Sequence, residues 1–278
     1  MNDRSAIDYE AEYNNRARVP EHAGLIAGWA QDAAAYRQSA PHVADIAYGV
    51  SPREVFDFFP VPGEVIGPVG LFIHGGYWQA LDKSFFSHMA RGPNACGMSI
   101  AVAGYDLCPD VSMSAIVNQM RMAALELWRR TDRQVIAYGH SAGGHLTAML
   151  LATDWKALDA AAPADLVLAG LAISGLFELE PLVSTSINAK LGMDPAEARR
   201  LSPALLKPNK GTQLTAFVGG MESAEYLRQS RVITEAWAGA GCATLYGEIA
   251  DANHFTVIAG LAEARSELTD ALLWLAES

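Results

Sequence analysis

Short apolar runs alternate with amphipathic stretches along most of this chain, and the alternation predicts an architecture before any single residue is considered. The runs from His42 to Gly49, Glu54 to Pro60, Gly67 to His74, Met98 to Tyr105, Gln134 to Tyr138, Val167 to Ser174, Leu214 to Val218 and Ala243 to Glu248 read as strands. Helical spacing occupies Ser112 to Arg130, Ala142 to Ala152, Ala224 to Ala240 and Val257 to Ala276. Strands separated by helices imply right-handed crossovers and a mostly parallel sheet covered on both faces. Val50-Ser51-Pro52-Arg53 leaves no room for a helix between the first two runs, so these are expected to form an antiparallel hairpin at one edge.

Two segments fall outside this rhythm. Residues 1–40 carry helical turns with Tyr9, Tyr13, Trp29 and Tyr36 interspersed, a pattern that fits a cap over a site or a helix packed on the sheet edge. Residues 176–209 carry Pro181, Pro195, Pro203 and Pro208 among short helical pieces and read as a cap-like insertion. No repeat and no Pro, Gly or Ser linker divides the chain, so residues 1–278 are expected to form a single domain.

Composition narrows the function classes. With 51% hydrophobic and 18% charged residues the chain can bury a sizeable core. A formal net charge of -11 without any Lys and Arg run disfavours nucleic acid and anionic membranes as partners. No stretch of about 18 apolar residues suggests a membrane span, and the opening residues lack the basic then apolar layout of a secretory signal. Three dispersed cysteines, Cys96, Cys108 and Cys242, read as free thiols in a cytoplasmic protein.

The chemistry concentrates in four places. Gly139-His140-Ser141-Ala142-Gly143 lies between an apolar strand and a helical pattern, the context of a nucleophile elbow with Ser141 as nucleophile. Leu71-Phe72-Ile73-His74-Gly75-Gly76-Tyr77-Trp78 is a strand ending in a glycine turn. Its Gly75 and Gly76 N–H groups, with that of Ala142, are expected to form an oxyanion hole, each donor contributing about 3 kcal/mol to the transition state. Tyr77 and Trp78 follow directly and are expected to wall the substrate pocket.

Of the seven histidines, at 22, 42, 74, 88, 140, 145 and 254, only His254 lies between a late strand and the final helix, where a general base belongs. His74 reads as a turn residue that fixes the loop. Glu222, at the carboxyl end of the strand Leu214 to Val218, is the expected orienting acid, with Glu225 and Asp251 as rivals. No His-Glu-x-x-His run, paired Cys-x-x-Cys or phosphate-cradling loop is present, so neither metal nor cofactor is expected.

Taken together, His74-Gly75-Gly76-Tyr77-Trp78, the elbow from Gly139 to Gly144, Val218-Gly219-Gly220-Met221-Glu222 and Asn253-His254-Phe255 resemble the arylformamidase group of α/β-hydrolases, related to hormone-sensitive-lipase-like esterases. Ile173 to Phe177 and Tyr13 to Arg18 look similar to bacterial members. The resemblance implies an eight-stranded α/β-hydrolase fold and hydrolysis of an aryl formamide such as N-formylkynurenine. By resemblance alone a homodimer is the expected assembly. Tyr77 stands where lipase-like esterases carry a third glycine, and Glu222 where many members carry Asp. The competing readings are a carboxylesterase acting on aryl or short-chain esters, another small amide or carbamate hydrolase, and a non-catalytic receptor of the same fold.

Overall fold

A computed structural model describes residues 7–63 and 67–277. All eight apolar runs are strands: β1 (Val43–Ala47), β2 (Val55–Phe59), β3 (Val69–Ile73), β4 (Ile100–Ala103), β5 (Val135–His140), β6 (Val167–Ile173), β7 (Gln213–Gly219) and β8 (Ala243–Ile249). They form one sheet in the order β1-β2-β4-β3-β5-β6-β7-β8. The hairpin β1–β2 and the β2–β4 pair are antiparallel, and every other pair is parallel.

Burial explains why the central strands read as unbroken apolar runs. β3, β4 and β5 are buried at every position because helices cover both faces, while the edge strand β1 is largely exposed. Side chains alternate between the two layers: Leu71, Ala101 and Ala137 point to one core, and Phe72, Val102 and Ile136 to the other. The first core lies under helices Met113–Thr131, Ala142–Leu151 and Ala224–Gly239; the second lies under His22–Ser39 and Glu267–Glu277.

One helical expectation changes. The pattern from Val257 to Ala276 is a 3-10 turn, Val257–Ala262, followed by a separate helix, Glu267–Glu277. The carbonyls that would have continued the first piece are taken by side chains. Arg91 donates to Ala262 O at 2.7 Å, Ser266 to Gly260 O at 2.6 Å and Thr269 to Glu263 O at 2.7 Å. Between β3 and β4 the crossover holds only short pieces, Lys83–Phe85, Ser87–Ala90 and Arg91–Ala95, too brief to leave a helical period.

In residues 176–209 the pieces are Glu180–Ser184, Asn188–Leu191, Pro195–Arg200 and Pro203–Leu205. Pro181, Pro195 and Pro203 stand at the first or second position of their pieces, where a missing N–H costs nothing. Among the described residues no helix is long and apolar enough to cross a membrane.

Parallel register brings the carboxyl ends of β3, β5, β6, β7 and β8 side by side, with Ile73 beside Gly139, His140 beside Ile173, Ile173 beside Phe217 and Gly219 beside Ile249. The loops that follow these ends therefore share one rim of the sheet, the usual place for a ligand in an open α/β sheet.

Candidate active site

Ser141 sits alone between β5 and helix Ala142–Leu151, with φ 57° and ψ -117°. A left-handed non-glycine residue is costly, and here it is held by close packing of the turn on its neighbours. A Cβ on Gly143 would stand 1.9 Å from the Ile73 carbonyl oxygen, so only glycine lets the helix start this close to β3. The Ser141 N–H donates to Ile173 O at 2.8 Å and locks the elbow to β6.

His254 arrives from the loop after β8. Its Nε2 lies 3.1 Å from Ser141 Oγ and its Nδ1 2.6 Å from Glu222 Oε2. A carboxylate only accepts, so the proton rides on Nδ1 and the Nε2 lone pair faces the serine. The other oxygen of Glu222 accepts from the Gly219 N–H at 2.8 Å and from the Ser174 hydroxyl.

The loop bearing Glu222 is stitched to the loop bearing His254: Gly220 N–H donates to Ile249 O at 2.9 Å and Met221 N–H to Ala252 O at 3.0 Å. The rival acids lie elsewhere. Asp251 is exposed, and Glu225 is committed to Arg228 and to the Tyr13 hydroxyl.

The glycine turn passes directly over the nucleophile, where a Cβ on Gly75 would meet Ser141 Cβ at 3.0 Å. Gly76 has φ 115°, a conformation that favours glycine. Among the described residues no protein acceptor is recorded for the N–H groups of Gly75, Gly76 and Ala142, the last at the start of its helix. His74 lies beneath this turn, stacked on Tyr105 with centroids 4.2 Å apart; burial pulls its imidazole down to about 4 and keeps it neutral.

Trp78 does not wall the pocket. It is fully buried in the core, edge-on to the His145 ring at 5.0 Å, because the left-handed backbone at Tyr77 and Trp78 turns it beneath the loop. Tyr77 faces the cavity, which has a volume of about 430 Å³ and also exposes Ser141, His254, Gly75 and Gly76.

The opposite side of the cavity comes from the N-terminal segment, from residues within 176–209 and from residues beside the glycine turn and His254. Trp29, Phe255, Ile26 and Leu81 supply apolar lining, and the exposed cations Arg16 and Lys190 lie among its bordering residues. Tyr13, Asn15, Tyr77 and Tyr226 form a neutral hydrogen-bonded cluster. Tyr77 Oη lies 2.6 Å from the Tyr13 carbonyl and 2.7 Å from Tyr226 Oη, and Asn15 Nδ2 donates to Tyr226 Oη at 2.9 Å. The Tyr226 ring rests 4.6 Å from that of His254. Burial pushes the phenols of Tyr77 and Tyr226 well above their ordinary value, so both remain protonated.

No family model matches the chain. It is 30% identical over 237 residues to the kynurenine formamidase of Danio rerio, covering 82% of this chain and 80% of that protein. The chain belongs to the kynurenine formamidase family. The Drosophila melanogaster kynurenine formamidase is 25% identical over 228 residues, covering 78% of this chain and 75% of that one. A solved structure from Silicibacter sp. TM1040, provisionally described as a thioesterase, superposes with a TM-score of 0.86 at 32% identity and covers 96% of this chain and 99% of its own. An esterase from Pyrobaculum calidifontis, 14% identical with a TM-score of 0.72, shares the α/β-hydrolase fold; the match covers 95% of this chain and 94% of that one.

As a member of the kynurenine formamidase family the chain is a hydrolase of the arylformamidase or esterase kind, acting on a small molecule. Within this family member, His140 flanks the nucleophile but differs from His254 in having neither ring nitrogen hydrogen-bonded. Burial, with the neighbouring His254 ring 4.7 Å away, holds its pKa well below the ordinary value, so it stays neutral. Tyr226 escapes a reading by motif because it is an ordinary residue locally, and although Ser174 and Asn15 lie in stretches that resemble bacterial members, what each one touches is set only by long-range packing.

Proposed function

We propose that the chain hydrolyses an aryl formamide such as N-formylkynurenine, with Ser141 as nucleophile, His254 as general base and Glu222 as the acid that orients it. The observation that carries this reading is His254 bridging Ser141 at 3.1 Å and Glu222 at 2.6 Å in a cavity of about 430 Å³. His254 takes the Ser141 proton as Oγ attacks the formyl carbon, and Glu222 stabilises the imidazolium. The Gly75, Gly76 and Ala142 N–H groups receive the oxyanion. His254 then protonates the leaving nitrogen, the C–N bond breaks, and water releases formate from the acyl-enzyme.

Several features support an aromatic, anionic substrate. Tyr77, Trp29 and Phe255 offer rings to an aryl group, and Arg16 and Lys190 have no ion-pair partner recorded among the described residues. An amino-acid carboxylate suits such cations. The turn Glu180–Ser184, the stretch that follows it and the N-terminal residues act as a cap, supported by Glu10 accepting from the Ser186 N–H at 2.7 Å and hydroxyl at 2.6 Å. A cytoplasmic location is supported by three cysteines that are all free thiols, and a homodimer by family resemblance.

Steady-state hydrolysis of N-formylkynurenine beside p-nitrophenyl acetate, with Ser141→Ala as control, tests the reading. A preference for the formamide that vanishes in the control supports it. Ester turnover with negligible formamide activity makes the protein a carboxylesterase, and no turnover of either leaves a receptor.

A further inference from the structure

The loop that carries Gly75 and Gly76 is bent in a way that its own residues do not favour. Between His74 and Leu81 the backbone is left-handed at Gly76 (φ 115°), Tyr77 (50°), Trp78 (56°) and Leu81 (71°), and only the first of these is glycine. Such conformations persist where surrounding contacts over-determine them. Within the loop the Gln79 N–H donates to Gly76 O at 3.0 Å, and the Cys108 N–H donates to Trp78 O at 2.8 Å. The two ends are held from outside by a single side chain. Arg53, on the connection between β1 and β2, donates through Nη2 to Leu81 O at 2.7 Å and through Nε to Tyr105 O at 2.8 Å. Tyr105 carries the hold to the other end, where its hydroxyl donates to His74 O at 2.8 Å and its ring stacks on the His74 imidazole.

We infer that Arg53 is a positioning residue for the oxyanion hole: its guanidinium clamps both ends of the glycine loop and so fixes where the Gly75 and Gly76 N–H groups point. This rests on the reading of those two residues as oxyanion donors. Arg53 is not among the residues that line the substrate cavity, so it acts through the loop and not by touching substrate. A planar guanidinium holds its donors at a fixed separation, which suits two carbonyls that must keep their distance from each other. Asp82 Oδ2 stands 3.4 Å from Nη2 beside the Leu81 anchor. The turn between the anchors closes tightly, since a Cβ on Gly76 would stand 2.2 Å from Ala80 O. Without the Arg53 fork, Leu81 is expected to leave its left-handed conformation and carry the donors out of line. Such donors act on charge that develops only in the transition state, so their misplacement lowers turnover and spares substrate binding. An oxyanion forms on every acyl substrate, and the loss therefore falls on formamides and esters alike.

The test is steady-state hydrolysis of N-formylkynurenine and p-nitrophenyl acetate by the unsubstituted enzyme, Arg53→Lys, Arg53→Ala and Arg37→Lys, each checked for its thermal unfolding transition. A lysine ammonium can reach one of the two carbonyls but not both. Arg37 is the control from the same surface recess, because it donates to Ser84 O and Ser87 Oγ, both at 2.6 Å, beyond the end of the loop. The expected result is a fall in kcat of about tenfold in Arg53→Lys and about 10²-fold in Arg53→Ala on both substrates, with KM within about twofold. Arg37→Lys is expected to stay within about twofold in kcat. The Arg53 side chain is 32% exposed, so added guanidinium ion can enter the space it vacates and should restore turnover to Arg53→Ala without raising that of the unsubstituted enzyme. An unchanged kcat in folded Arg53→Lys, a rise in KM alone, an equal loss in Arg37→Lys or a loss in folded Arg53→Ala that guanidinium does not relieve would each overturn the assignment. If Arg53→Ala does not fold, Arg53→Lys decides. Turnover of the ester alone by the unsubstituted enzyme would end the formamidase reading and leave this comparison intact, whereas turnover of neither substrate would overturn the hydrolase reading and this inference with it.

Discussion

Two polar clusters meet beside Ser141, and they are built in opposite ways. The first, His254 and Glu222, pairs a base with a carboxylate on loops that follow adjacent strands and are stitched to each other by backbone hydrogen bonds. The second, Tyr226, Tyr77, Asn15 and Tyr13, is neutral, and its Asn15–Tyr226 bond joins residues 211 apart in sequence. The first arm depends on the sheet. The second depends on the N-terminal segment docking across helix Ala224–Gly239, where the Tyr13 hydroxyl donates to Glu225 at 2.8 Å and accepts from Gln229 at 2.8 Å. Under the proposed function, proton transfer belongs to the sheet rim, while the neutral cluster belongs to the segment laid over it.

The contrast is broken most severely at the first arm. Ser141→Ala and His254→Ala are each expected to lower kcat by about 10⁴-fold or more while the unfolding midpoint moves little; near-normal turnover in a folded variant would remove that residue from the triad. Glu222→Gln should cost about 10³-fold or more, because an amide no longer holds His254 in the required tautomer. Asp251→Ala, on an exposed side chain, is expected to stay within about twofold, and the reverse order would move the acid there.

Burial also makes two supporting histidines sensitive to pH. His74 and His145 are both pulled to about 4 by burial, from an ordinary 6.5. The folded state keeps them neutral where the unfolded chain binds protons, so their contribution to stability is present above about pH 6.5 and is lost as pH falls towards 4. Unfolding midpoints measured from pH 7.5 to 4 should fall accordingly. His145→Gln, which keeps a donor for the Leu201 carbonyl, should flatten that slope, and an unchanged slope would show that His145 is not among its causes.

Smaller effects sharpen the boundary between the arms. Ser174→Ala removes one donor from Glu222 and is expected to lower kcat by about tenfold. Tyr13→Phe leaves Glu225 and Gln229 short of a partner and should destabilise the fold by about 1 to 2 kcal/mol, measured by urea unfolding, with a change in ester kcat below about threefold. A larger kinetic loss would mean that the neutral cluster also serves proton transfer.

How much of this was legible depends on the distance over which each feature is encoded. The period of apolar residues is a local property, and buried parallel strands must be apolar on both faces, so eight runs were enough for eight strands and for the edge hairpin. Chain order likewise explains why Ser141, Glu222 and His254 meet, since each follows a strand whose parallel neighbour brings its loop to the same rim. Trp78 was misread because adjacency to Tyr77 suggests a shared wall, while a left-handed turn sends one ring to the cavity and the other to the core. The long helical pattern after Val257 failed because Arg91, from 171 residues away, takes a carbonyl that a helix would need. What tertiary structure alone decided is the tyrosine cluster: donors and acceptors from Tyr13, Asn15, Tyr77 and Tyr226 find particular partners only when packing brings together segments far apart in sequence.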